Sequence, residues 1–199
     1  SQVTHTYPSS GTYTIKILGA ITAGWLFNNT GDCLKMGDIA NFGGFSAVSN
    51  SDFYGCSNMT SIGSDVDFLN QATNLSGYFK FCGLTSLPET LTLANLQNGN
   101  QMFYNNSLTS LPSGMTLANV TNGYFMFYDN SLAALPSGMT LANMTNGMFM
   151  FANNSLTALP SVMTLASLTN GGAIFQSSSL TDLPIGVTLA NLSDGTNIF

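Results

Sequence analysis

The side chains that could do chemistry in this chain are few and scattered. His5 is its single histidine, and there is no arginine; the lysines are Lys16, Lys35 and Lys80. Nucleophilic catalysis needs a base beside the nucleophile to take up its proton. With one imidazole, any Ser-His-Asp or Cys-His arrangement would have to centre on the first few residues. A structural or solvated His5 is the simpler expectation, and no catalytic residue is assigned. Cys33, Cys56 and Cys82 are an odd number, so they cannot all pair within the chain, and their spacing fits no zinc pattern. Cys33–Cys56, Cys56–Cys82 and three free buried thiols all remain open. Asp65 and Asp67 have the alternate spacing of a calcium loop, but no glycine-turned loop with a distal glutamate follows. No metal site and no cofactor are expected.

A second kind of chemistry, recognition by aromatic contact, has better material. Tyr104, Tyr124, Phe125, Tyr128, Met148 and Phe149 fall at positions that change from one segment to the next. If those positions face solvent, they form an apolar patch larger than a soluble monomer normally exposes. Such a patch suits a protein or a glycan, because aromatics give much contact area at low entropic cost. The other reading has Phe125 and Phe149 tucked inward.

What positions these residues is a repeat. From Leu84 onward Leu-Pro returns at Leu87, Leu111, Leu135, Leu159 and Leu183, each 24 residues after the last. Gly99 and Phe103 return at the same step, down to Gly195 and Phe199. A fixed period of this length predicts a solenoid, in which each unit buries its apolar side against its neighbours. Comparing the copies gives an inside–outside map. Leu84, Leu87, Thr92, Leu93, Ala94, Asn95, Gly99 and Phe103 barely change and are expected to face inward. Asn95, Asn119, Asn143, Ser167 and Asn191 read as a buried polar ladder satisfying turn backbone. Gly99 and its copies are expected at positive φ. Leu84–Leu87 reads as a short strand ended by Pro88, which has no N–H to donate. The file Thr92, Thr116, Thr140, Thr164, Thr188 raises a minor ice-binding alternative, though it is a single file between apolar positions. Of eight Asn-x-Ser/Thr sequons, those at Asn119, Asn143 and Asn191 could carry no glycan if the ladder is buried.

Three segments follow. Residues 1–18 read as a β-hairpin cap: Val3–Tyr7, a Pro8–Gly11 turn, then Thr12–Leu18 with half-buried alternation. Residues 19–83 are degenerate repeats, and 84–199 are the regular ones. Phe199 stops short of a full period, so the last apolar face is expected to meet another chain or a continuation, a possible route to self-association. The chain opens on Ser1 rather than Met, as expected of a processed or excised piece.

Composition narrows the partners. The charged fraction is 6%, against about 25% in ordinary domains, and the net charge is −6. Nucleic acid binding requires cations that displace counterions, so it is not expected; nor is a polybasic membrane-surface mode. No apolar run is long enough to span a membrane. Hydrophobic content of 44% is enough for a core, and solubility must rest on Asn, Ser and Thr.

Phe53-Tyr54-Gly55-Cys56-Ser57-Asn58-Met59-Thr60-Ser61-Ile62, Lys35-Met36-Gly37-Asp38-Ile39 and the repeated Ser-Leu-Thr-Ser-Leu-Pro resemble BspA-like leucine-rich repeats. His5–Ile17 is similar to the strand before such arrays and to the last hairpin of PKD-type modules. The resemblance implies a mainly β, right-handed leucine-rich-repeat solenoid on a microbial or phage surface, serving adhesion or recognition. The family's Gly-Cys step is kept at Cys56 and loosely at Cys82, then gives way to Asn106, Asn130, Asn154 and Ser178. The expected function is a non-enzymatic extracellular module that binds a protein or glycan. Alternatives are a virion component, such as a tail-fibre or capsid-decoration module, and a filament-forming spacer.

Overall fold

The computed structural model describes residues 6–19, 21, 24–45 and 50–199. Regular elements are sparse among them. A 3-10 turn spans Cys33–Lys35, and a short parallel pair joins β1 (Asp38–Ile39) to β2 (Ser61–Ile62), Asp38 opposite Ser61. One helix, α1, covers Asp67–Gln71 and buries Leu69. No described helix is long and apolar enough to cross a membrane.

The order comes from hydrogen bonds between residues one period apart. The N–H groups of Gly99, Gln101, Phe103 and Asn105 donate to the carbonyls of Asn122, Tyr124, Met126 and Tyr128, at 2.8–2.9 Å. The same set recurs from Gly123, Phe125, Phe127 and Asp129, and again from Gly147, Phe149, Phe151 and Asn153. Alternate residues thus bond forward to the next coil. Residues between them close tight turns, as Met102 N–H does on Gly99 C=O at 3.0 Å. Isolated parallel bridges run from Asn74 through Asn98, Asn122, Asn146 and Asn170 to Asp194. Upstream the coils are longer: Gly55 N–H reaches Lys80 C=O, and Phe53 lies over Phe79.

Stacking the coils aligns like with like. Phe79, Phe103, Phe127, Phe151 and Phe175 are wholly buried, with successive ring centroids 5.4–5.9 Å apart and planes within 14°. Each buried ring contributes about 1.5–3 kcal/mol by leaving water. Leu84, Leu93, Met102 and their copies through the fourth regular repeat fill the rest of the core.

Several expectations need correcting. Leu84–Leu87 forms no ladder: Ser107 N–H bonds Leu84 C=O at 2.9 Å, while Leu84 N–H goes to the Asn106 side chain at 3.1 Å. A side chain thus takes a donor that a sheet would use. Gly99, Gly123, Gly147, Gly171 and Gly195 are not at positive φ. They are small for lack of room: a Cβ on Gly99 would lie 2.6 Å from Met126 Sδ. Ala94 and Asn95 are exposed rather than inward. The Asn95 column still serves backbone, with Asn95, Asn119, Asn143 and Asn191 donating to carbonyls of the preceding coil at 2.6–3.0 Å. Those three sequon asparagines are therefore exposed, with their amides bonded. Among the described residues Thr12–Leu18 pairs with no strand, and Ile15 and Ile17 are exposed. Tyr7 stacks on Tyr13 at 4.2 Å across the Pro8–Gly11 turn; of the expected first run, Val3–Tyr7, residues 3–5 lie outside the described residues.

The buried polar ladder lies elsewhere, at Asn130 and Asn154, with the half-buried Asn106 one coil before them. Asn130 Nδ2 donates to Phe103 and Phe127 carbonyls at 2.9 and 3.2 Å, and its Oδ1 accepts Leu108 N–H at 3.1 Å. Cys82, one period before Asn106, offers Sγ–H to Phe53 C=O at 3.1 Å. Removing such a bracket strands buried backbone groups, which costs about 1–3 kcal/mol. Urea unfolding of Asn130→Ala should show a loss of that order, while Asn143→Ala, on the exposed column, loses less. Equal losses would contradict the distinction.

Candidate recognition surface

Three neighbouring columns supply the aromatic residues. One is Lys80, Tyr104, Tyr128, Ala152, Gln176; the next is Gly77, Gln101, Phe125, Phe149, Ala173; the third includes Asn100, Tyr124 and Met148. Coil stacking makes each column a line of adjacent side chains. The second column has left-handed backbone throughout, with φ of 65° at Gly77, 56° at Gln101, 54° at Phe125, 56° at Phe149 and 55° at Ala173. Glycine or asparagine suits such a site; a bulky residue is disfavoured there by about 1–2 kcal/mol. Two consecutive phenylalanines therefore run against local preference, and their side-chain contacts must offset it.

Those contacts form one continuous cluster. Phe125 and Phe149 stack at 4.7 Å and 14°, and Tyr104 and Tyr128 at 5.1 Å and 16°. Tyr124 and Tyr128 meet Phe125 edge-on at 4.5 and 4.9 Å. Such pairs contribute about 0.5–1.5 kcal/mol each beyond area. All of these rings are half-buried, so Phe125 and Phe149 stand at the surface braced by their neighbours rather than tucked beneath it. Met148 is half-buried beside Tyr124, with Asn170 Nδ2 3.8 Å from its sulfur. Asn153 Nδ2 donates to the Tyr128 hydroxyl at 3.0 Å.

The strip extends further than the six residues singled out from sequence. Phe81 meets Tyr104 edge-on at 5.0 Å, and Tyr54 lies 5.9 Å from Phe81. Lys80 Nζ sits 5.1 Å from the Tyr54 ring centre and 5.4 Å from those of Phe81 and Tyr104, within cation–π range. Stepping the Tyr104 column back one period would have found Lys80; Tyr54, in the longer coils, had no such signal. Burial lowers the Lys80 ammonium pKa, and burial, then Tyr128, raises the Tyr104 phenol.

Asp65, one of the carboxylates away from the strip, is engaged in structure: it accepts the Phe42 and Gly43 N–H groups at 3.0 and 2.7 Å, tying a turn of the preceding coil. Among the described residues no three His, Cys, Asp or Glu side chains are grouped to hold a metal ion. Thr140 and Thr164 bond each other through their hydroxyls at 2.9 Å; Thr92, Thr116 and Thr140 are half-buried, and Thr164 and Thr188 exposed. His5 lies outside the described residues. No protein-family model matches the chain, and no curated protein or solved structure matches it either.

Cys33, Cys56 and Cys82 are free and buried. Burial pushes the Cys56 thiol up to about 12 and the Cys82 thiol higher than its ordinary value. The reactive thiolate is thus scarce at both near neutral pH. Iodoacetamide at pH 8 should leave Cys56 and Cys82 unmodified in the folded chain and alkylate both in urea, as read by peptide mass spectrometry. Fast labelling of either without denaturant would be the contrary result.

Proposed function

We propose that this chain is a leucine-rich-repeat recognition or adhesion module, a right-handed solenoid without catalytic activity, working outside the cell on a cell or virion surface. It holds a protein or a glycan against the aromatic strip. The observation that supports this most is the pair Phe125 and Phe149: large rings kept on left-handed backbone, half-exposed, in a cluster with Tyr104, Tyr124 and Tyr128. A core would not need them there, since the wholly buried Phe103 column already fills the interior. Local rules broken without gain to the core mark surfaces used for something else. Half-buried tyrosines are rigid anchors of the kind that dominate binding energy.

The test is retention of the labelled chain on an array printed with glycans and extracellular proteins. At least one class of ligand should hold it. Replacing Tyr104 and Tyr128 together with alanine should weaken that binding about tenfold or more. Replacing Ser137 and Thr157, exposed residues outside the cluster, should leave it unchanged. Undiminished binding by the tyrosine double variant, with its thermal unfolding intact, would overturn the assignment.

A further inference from the structure

The end of the strip at Lys80 has chemistry that the rest lacks. An ammonium carries three donors and no acceptor. At Lys80 one donor goes to Gln101 Oε1 at 2.9 Å, a neutral group. The rings of Tyr54, Phe81 and Tyr104 hold the head by their faces. Among the described residues no carboxylate lies within ion-pairing distance of it. Lys35, by contrast, is paired with Asp32 at 2.7 Å. Asp129, an acid beside the strip, accepts the Asn105 side-chain amide. A chain with so few cations therefore places one, part-desolvated and without a counter-charge, at ring height beside Tyr104.

We infer that the strip takes a glycan carrying an isolated carboxylate, the sugar faces lying on Tyr104, Tyr128 and Phe125 and the carboxylate meeting Lys80. This rests on the recognition reading above and narrows it. Sugars present apolar C–H faces bordered by hydroxyls. The strip answers with stacked rings bordered mainly by amides, at Gln101, Asn105 and Asn153, with Lys80 at one end and the amide-bonded carboxylate of Asp129 beside Tyr104. A carboxylate accepts from an ammonium in a charge-assisted bond, stronger than a bond between neutral groups. A densely charged polymer does not fit, because the chain is itself at net −6 and would repel it.

The experiment uses oligosaccharides printed in matched pairs, each neutral glycan beside its counterpart with one sialic or uronic acid. The whole chain should bind acidic members about fivefold better than neutral ones at low salt, the size of a partly exposed charge pair, with the preference shrinking as salt rises. Lys80→Met, which keeps an apolar stem on the rings, should bring the pairs to parity; Lys80→Arg should keep the preference. Equal binding within pairs by the wild type, or a preference that survives in Lys80→Met, overturns the role of Lys80. If sugars still bind through Tyr104 and Tyr128 in that case, the recognition reading stands. Binding to extracellular proteins but to no sugar overturns the glycan and leaves the strip. Binding to neither class of probe overturns both.

Discussion

Everything in this structure depends on the forward hydrogen bonds from one coil to the next. They join residues 23 apart through the 99–105 segment and its copies, so each coil must return to the same height before it can bond. That fixes the coil length in the regular region, and it forces two residues per coil into left-handed backbone, such as Gln101 and Asn105. It also decides which side chains meet. A residue finds its own counterpart one period away, which is why Phe103 stacks on Phe127 and Tyr104 on Tyr128. Interior and surface are thus built by one geometric rule.

The rule leaves many backbone groups that neighbouring coils do not reach, and neutral side chains satisfy them. Asn130 and Asn154 do so in the interior, and Asn119 and Asn143 do so at the surface. Thr145 and Thr169 hydroxyls likewise donate to the carbonyls of Thr121 and Thr145. Buried backbone without partners costs about as much as a lost hydrogen bond, so the interior amides of Asn130 and Asn154 hold the fold together with the leucines. It also accounts for the scarcity of charge. A column of identical charges a few ångströms apart would repel itself, whereas a column of amides can bond along the stack, as Asn122 does to Asn98 at 3.2 Å.

This explains what could be read from the sequence. Positions constant for burial, Leu84, Leu93 and Phe103, were legible, because burial and constancy coincide there. Asn95 and Ala94 were misplaced, because constancy can equally reflect a hydrogen bond or a tight surface turn. Gly99 was noticed for the right residue type and the wrong cause: Met126 approaches it from the next coil, a contact no single repeat reveals. The Asn106 ladder was seen as the loss of a cysteine, not as the gain of a better bracket for the same carbonyl. Of the strip, the regular repeats yielded Tyr104 to Phe149. Its other end depends on longer coils, where Tyr54 and Phe81 meet only after the chain has been stacked.

The same polar arrangement bears on recognition. Along the exposed columns, amides and hydroxyls are already bonded to the preceding coil, Asn143 to Ala118 and Thr169 to Thr145 among them. To use them a partner would have to break a bond as it made one, with little net gain. The ring carbons that the aromatic residues leave at the surface are held by stacking and make no such hydrogen bonds. A half-buried ring that sheds its remaining water gains free energy without breaking anything, and a cation beside it adds direction. In a fold that uses its neutral polar groups to hold itself together, binding strength must come from surfaces outside that arrangement. The aromatic strip and Lys80 are such a surface.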